Sequence, residues 1–374
     1  MRSPQTLLMV LFLFLVVFTA RSVLQRQDQL FEKSKDLPEV LHLIDSAYVD
    51  RVDLEKLMPG AFQGALERMD PNAVYLAPGD PLVDMADKAF RQTGLILTKK
   101  NRYAMAVTVA PGSPAYEAGL RDGDYLRRIG GLSTRETNLL QIRRLLAEST
   151  QDIAVVAIDR LTGDDRDFSI RPGSYAAVKL TAASYLDGLN LITLPGFYPQ
   201  AGEDLDRAMT DIEKDQKVIL DLRHNALGDD AALLLLASRF LPAGPVATWT
   251  GAESEDLVIS NTDQGKYFGT KLYILLDEST SQAAEVFAAA ARLSGVAVVV
   301  GSPTRGHSGH YRFMPLQNGG HVYMASRHLM LGDGNYLHKS KVEPDLLVET
   351  AIEREEDDPF LQKALEQVRS HEAG

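Results

Sequence analysis

Residues 271–291 read KLYILLDESTSQAAEVFAAAA. The run Leu272 to Leu276 is too continuous for a half-exposed strand, which alternates with period two, and too short for a helix. It therefore reads as a strand buried on both faces. Asp277 to Ser281 are turn and cap residues, and a helix is expected near Ala283–Leu293. Ser279-Thr280-Ser281-Gln282 spells a capping box, with Ser279 as N-cap and Gln282 reaching back to its N–H. The same alternation extends outward. GLNLITLP (188–195) precedes a helix near Ala201–Lys214. KVILDLR (217–223) precedes a helix near Asp230–Leu241, with Asp229-Asp230 as caps, and VAVVVG (296–301) follows the central helix. Continuous apolar strands between amphipathic helices require a sheet covered on both faces.

Toward the amino terminus the texture changes. From Ala89 to Pro172 come short strands with turn signals: TGLILT, YAMAVTVA, YLRRIGG, IAVVAIDR and DFSIRP. Gly119 ends a short helix where it is free to take positive φ, Gly123-Asp124 opens a turn, and Leu139–Leu146 is an amphipathic helix. Asp36–Met69 reads as helical, until Pro71, Pro78, Gly79 and Pro81 break the pattern. Asp357–Arg369 closes the chain as a helix with Phe360, Leu361, Leu365 and Val368 on one side.

The 374 residues include no cysteine, which excludes disulfides, zinc–cysteine sites, iron–sulfur clusters and a thiol nucleophile. With 39 Lys+Arg against 51 Asp+Glu the net charge is -12, the wrong sign for a nucleic-acid binder. Ten acidic and three basic residues fall between Val342 and Gly374, so the acidity belongs mainly to the tail. Glu353 to Asp358 reads as a solvated linker. Leu7 to Ala20, LLMVLFLFLVVFTA, is flanked by Arg2 and Arg21. As a helix it would span about 21 Å, short of the roughly 30 Å hydrocarbon layer and typical of an export signal. It is either cleaved before Val23 or kept as a signal anchor, and the expected location is the periplasm or the extracytoplasmic face of the membrane. His307, His310, His321, His328 and His338 show no ligand spacing, so neither a metal nor a cofactor is expected.

Gly94-Leu95-Ile96, the run SPAYEAGLRDGD (113–124) and the strand–helix–strand order resemble a PDZ domain, the module that adds a peptide's carboxyl-terminal end as a strand. Gly94, Leu95, Ile96 and Leu97 are the expected peptide-binding residues. The resemblance extends from Leu37 to Val368, through LEKLMPGAFQGALERMDPNAVYLAP, VILDLRHN, DESTSQAAEVFAAAA, VVVGSPTRGHSG, KVEPDLLVE and DPFLQKALEQV. Together these resemble the carboxy-terminal processing, or tail-specific, proteases. That family implies an α/β (α+β) fold, with a spiral αβ core, an inserted PDZ domain and a helical amino-terminal segment. Residues 1–22 are then signal, 23–88 helical, 89–172 PDZ domain, 173–349 protease-like core and 350–374 an acidic linker with the last helix.

The family implies a serine nucleophile at a helix amino terminus and a lysine base 25 residues later. Aligning on Glu285 and on Thr304-Arg305-Gly306 puts Gln282 at the nucleophile position and His307 at the base position, 25 residues apart. Tyr311 stands where the family has a glutamine. The oxyanion-equivalent residues are Leu227, Gly228 and Ala283. A carboxamide cannot serve as an acyl-transfer nucleophile, because its nitrogen lone pair is delocalised. The expected function is therefore binding, of carboxyl-terminal tails or of an active partner protease, with a homo-oligomer as another arrangement. Two alternatives stay open: a serine endopeptidase using Ser281 with His307, and a structural envelope scaffold. Arg223 is expected to be a structural ion-pair partner.

Overall fold

A computed structural model describes residues 35–158, 162–175, 179–184, 189–210, 212, 216–226, 228–252, 254–304, 306, 309–337, 341–348 and 358–370. The expected signal segment, 1–22, lies outside them, as does most of the acidic linker. The chain divides into two compact units, Met1–Gly64 and Ala65–Gly374. Where one helical segment was expected over Asp36–Met69 there are two helices, α1 (Asp36–Ala47) and α2 (Leu54–Met69). The backbone turns extended at Tyr48, and the Asp53 carboxylate accepts the Glu55 N–H to start the second helix.

In the larger unit β1 (Val74–Leu76) leads into a module of α3 (Ala86–Thr93), β2 (Leu95–Lys100), β3 (Tyr103–Val109), α4 (Pro114–Glu117), β4 (Tyr125–Ile129), β5 (Leu132–Ser133), α5 (Leu139–Glu148), β6 (Ile153–Ile158) and β7 (Asp165–Ile170). Its sheet runs β2-β3-β4-β6-β7, with β5 on β4, and every pairing is antiparallel. Leu95, Leu97, Leu120, Leu126, Ile142 and Leu146 fill its core. Asn138 caps α5 by accepting the Gln141 N–H, and Gly119 takes φ +101° just after α4, as its sequence context demands.

The remainder comprises β8 (Thr181–Ser184), β9 (Leu189–Thr193), α6 (Ala201–Ala208), β10 (Lys217–Asp221), α7 (Asp230–Phe240), β11 (Gly244–Gly251), β12 (Ser254–Asn261), β13 (Lys271–Leu276), α8 (Gln282–Leu293), β14 (Ala297–Gly301), β15 (Gly309–Pro315), β16 (His321–Met330), β17 (Leu346–Leu347) and α9 (Pro359–Ser370). One sheet has the order β17-β14-β13-β10-β9-β8, parallel except for the edge strand β8. Ile192, Leu220 and Ile274 face α7 and α8, while Ile219, Tyr273 and Val300 face Phe360 and Ala364 of α9. Both faces are thus covered, which is why the strands are continuously apolar. Phe240 and Phe287 are fully buried with ring centroids 6.1 Å apart, and burial of each contributes about 1.5–3 kcal/mol. A second sheet, β1-β16-β11-β12 with β15 on β16, joins β1 to the core before the chain enters the β2–β7 module.

Candidate functional site

The site lies where β10 and β13, parallel neighbours in the six-stranded sheet, run out into turns. After β13, the Asp277 carboxylate accepts the N–H groups of Ser279 (3.0 Å) and Thr280 (2.9 Å), curling the chain toward α8. Thr280 Oγ1 donates to Leu222 O, the Ser281 N–H to Asn225 O and Ser281 Oγ to Ala226 O (3.0 Å). The turn after β10 and the turn after β13 are therefore stitched residue by residue.

Gln282 opens α8 with φ +53°. Among the described residues only four non-glycines have positive φ, and two of them, His224 and Gln282, belong to these turns. A left-handed residue between a buried strand and a helix lifts its own side chain out of the surface. Gln282 is accordingly exposed, between Ser281 at 3 % and Ala283 at 4 %. The capping box expected of Ser279 and Gln282 does not form. Ser281, not Ser279, occupies the N-cap and makes no side-chain cap bond, while the Ser279 hydroxyl donates to Asp122 Oδ2.

Gly228 and Ala283 come together. A Cβ on Gly228, whose φ is +151°, would stand 2.7 Å from the Ala283 Cβ and 2.9 Å from Phe197, so only glycine fits. Leu227 and His307 lie outside the described residues. The loop leading to His307 is anchored by Glu285, which is fully buried and accepts hydrogen bonds from the Thr304 hydroxyl and the Gly306 N–H (2.9 Å). Glu285 served above only to set the alignment register; a carboxylate at the fourth position of an apolar helix was the signal that it had a role. Tyr311 donates its hydroxyl to Asp70 Oδ2 (2.8 Å) and stacks on Tyr323; burial and the Asp70 charge push its phenol pKa up. Arg223 pairs with Asp221 (2.6 Å) and with Asp358 (2.7 Å) at the foot of α9, so Asp358 is a structural anchor and not part of a solvated linker. Asp229 caps α7 through the Ala232 N–H.

Sequence reasoning missed His224. Its Nδ1 is 2.8 Å from Asp122 Oδ2 and 3.5 Å from Asp277 Oδ2. Burial works to lower its pKa, but the carboxylates of Asp277 and Asp122 overcome that and raise it to about 9. Asp122, His224 and Asp277 place donor atoms within 4.8 Å of one another, the one such group among the described residues. With Nδ1 against Asp122 and a second carboxylate beside the ring, the two negative charges favour the protonated imidazole, the arrangement of an ion-pair cluster. No signal of spacing marks it, because its members come from three separate segments.

At the same end of β3 as Asp122, Gly94 takes φ +77° as the terminus of α3, and a Cβ there would meet the Ser113 hydroxyl at 2.0 Å. Its N–H donates to Phe90 O (2.7 Å), and the Leu95 N–H donates to Thr93 Oγ1 (3.3 Å). Leu95 and Leu97 point into the module's core, Ile96 is half-buried, and β2 is an edge strand. Opposite Ile96, Thr108 of β3 donates to Ser279 O (3.4 Å), which joins the β2–β3 hairpin to the Gln282 turn.

Comparison with known proteins agrees with this layout. Residues 188–348 match Peptidase family S41, and residues 105–160 match the PDZ domain. A probable CtpA-like serine protease of Staphylococcus aureus (strain N315) is 24 % identical over 321 residues, covering 84 % of this chain and 64 % of the relative. The chain thus spans slightly under two thirds of that relative's length. The carboxy-terminal processing protease CtpB of Bacillus subtilis (strain 168) is 23 % identical over 334 residues, covering 85 % of this chain and 68 % of that protein. Among solved structures, the photosystem II D1 C-terminal processing protease superposes with a TM-score of 0.63 at 21 % identity, over 83 % of this chain and 92 % of that one, a shared fold. With the strand–turn–helix site, the glycine turn packed on it and the β2–β7 module in place, the chain is similar to the C-terminal processing proteases, combining a region that matches Peptidase family S41 with a PDZ domain.

Proposed function

We propose that this chain binds protein carboxyl-terminal tails, or an active partner protease, without cleaving them. One observation carries the reading: at the exposed, left-handed head of α8 stands a carboxamide, Gln282. Peptide hydrolysis by this architecture needs a hydroxyl or thiol there with a base to deprotonate it. The neighbouring Ser281 does not substitute. It is 3 % exposed and gives its proton to the Ala226 carbonyl, so it could attack a substrate only after the turn was rebuilt. In this reading the PDZ domain is the binding element: β2 ends its sheet, and an extended peptide added there displaces Arg143 from Leu97 O (3.4 Å) and Asn72 from the Lys99 N–H (3.4 Å). In this reading the chain is exported through its amino-terminal apolar run and works in the periplasm or at the extracytoplasmic face of the membrane.

The test uses the full chain with an unfolded protein substrate, beside the variants Ser281→Ala and Gln282→Ser. The reading predicts no turnover by the parent chain. Turnover that disappears in Ser281→Ala would establish the serine endopeptidase instead. Peptide binding is then measured with free and with amidated carboxyl termini, and equal affinity for the two would rule out carboxylate capture. Binding of neither, with copurification of envelope proteins, would make the chain a scaffold.

A further inference from the structure

The cluster around His224 lies outside the acyl-transfer machinery and spans two parts of the fold. Asp122 belongs to the PDZ turn between α4 and β4, where its Oδ1 also accepts the Val109 N–H (2.6 Å) at the end of β3. His224 belongs to the turn after β10, where φ +60° holds it upright, and Asp277 to the turn after β13. The Ser279 hydroxyl donates to the same Asp122 oxygen that faces the imidazole, and Thr108 of the PDZ domain donates to Ser279 O. Two PDZ side chains thus grip the segment 277–281 that leads to Gln282, and the His224 ring lies between the facing carboxylates of Asp122 and Asp277.

We propose that His224 is a proton-operated latch that docks the PDZ domain on the turn presenting Gln282. With the proton, the imidazolium lies between Asp122 and Asp277 and draws the PDZ turn onto the core. Without it, two carboxylates face each other across a half-buried gap, and like charges at that spacing repel. Among the described residues Arg223 also acts on the ring and opposes protonation; Asp221 and Asp358 bracket that guanidinium and offset much of its field. The Ser279 hydroxyl is uncharged and follows Asp122. Since the ring is 41 % exposed, bulk proton reaches it without unfolding. Loss of the proton would loosen Asp122 first, then Ser279, and so the backbone entering α8. The latch rests on the docked arrangement alone and holds whether or not tails are bound or cleaved.

The experiment follows the histidine Cε1–H resonances of the full chain from pH 6 to 10, with His224→Gln to assign the signal. The expected midpoint is near 9. At pH 7, quench-flow hydrogen exchange should show the amides of residues 279–283 exchanging about three- to tenfold faster in His224→Gln than in the parent, once corrected for intrinsic rates. At pH 9.5 that difference should shrink. Asp122→Asn, a change on the PDZ side that leaves the His224 turn intact, should pull the midpoint back toward about 6.5 and speed the same amides. A parent midpoint near the ordinary value, an acceleration of equal size at both pH values, or one-to-one binding of zinc chloride that abolishes the titration would each overturn the proposal.

Discussion

Replacing Gln282 with glycine and with alanine separates the backbone of the α8 head from its side chain. In an ordinary first helical turn glycine is less stable than alanine by about 0.8–1 kcal/mol. At φ +53° the order reverses, because a Cβ in the left-handed region costs about 1–2 kcal/mol and glycine avoids it. Gln282→Gly should therefore be more stable than Gln282→Ala by about 1 kcal/mol, a swing of about 2 kcal/mol from the right-handed case. The chain has one tryptophan, Trp249, whose indole N–H donates to Asp230 at the start of α7, so its fluorescence reports on the core. In urea, at a slope of about 3 kcal/mol/M, the two midpoints should differ by about 0.3 M with the glycine variant higher. Alanine above glycine would mean that the turn is right-handed in solution and that its resemblance to a nucleophile-presenting turn is lost.

Glu285→Leu removes the one oxygen, Oε1, that accepts from both the Thr304 hydroxyl and the Gly306 N–H, leaving two buried donors without it; it should cost about 1–3 kcal/mol in urea unfolding and speed exchange at Gly306. Arg223→Lys exchanges a fork that engages both Asp221 and Asp358 for a point charge. A loss of about 1–3 kcal/mol is expected, with faster exchange in α9, whose first turn Asp358 also caps. The pH dependence follows from His224. Its folded pKa, about 9, lies above the unfolded value, so its stabilisation is complete below about 6.5 and is lost as pH rises through 9. The urea midpoint of the parent chain should fall across that window more steeply than that of His224→Gln.

The alternation of apolar strands and amphipathic helices was legible because the central strands β10, β13 and β14 of the six-stranded sheet are buried on both faces, a condition that leaves an unbroken apolar run in the sequence. Gly119 and Asp229 were legible for a local reason, since caps and left-handed turns depend on residues close in sequence. The capping box failed on a non-local competitor: Asp122, 157 positions away, takes the Ser279 hydroxyl that the local rule assigns to a helix. The division of Asp36–Met69 into two helices was missed because apolar spacing continues across a break that the backbone at Tyr48 and the Asp53 carboxylate enforce. His224 was invisible for the same reason as Asp122. A pairing between the PDZ domain and the core exists only once both have folded and docked.

The order of the second sheet gives that docking a particular character. β1 is a strand of the core, and the chain leaves it for the PDZ domain and returns to the core at β8. On the way out, Asp84 is bound by Arg143 of α5 and by Tyr323 of β16, each at 2.6 Å. The PDZ domain is thus a loop closed at both ends, not a bead on a leash. Its contacts with the Gln282 turn face a partner held at an effective concentration in about the millimolar range or above. A broken contact there re-forms within the same molecule, so weakening it redistributes docked and undocked forms and never yields separate pieces. Any tail or partner that displaces the PDZ domain must compete against that local concentration, and dilution gives it no help.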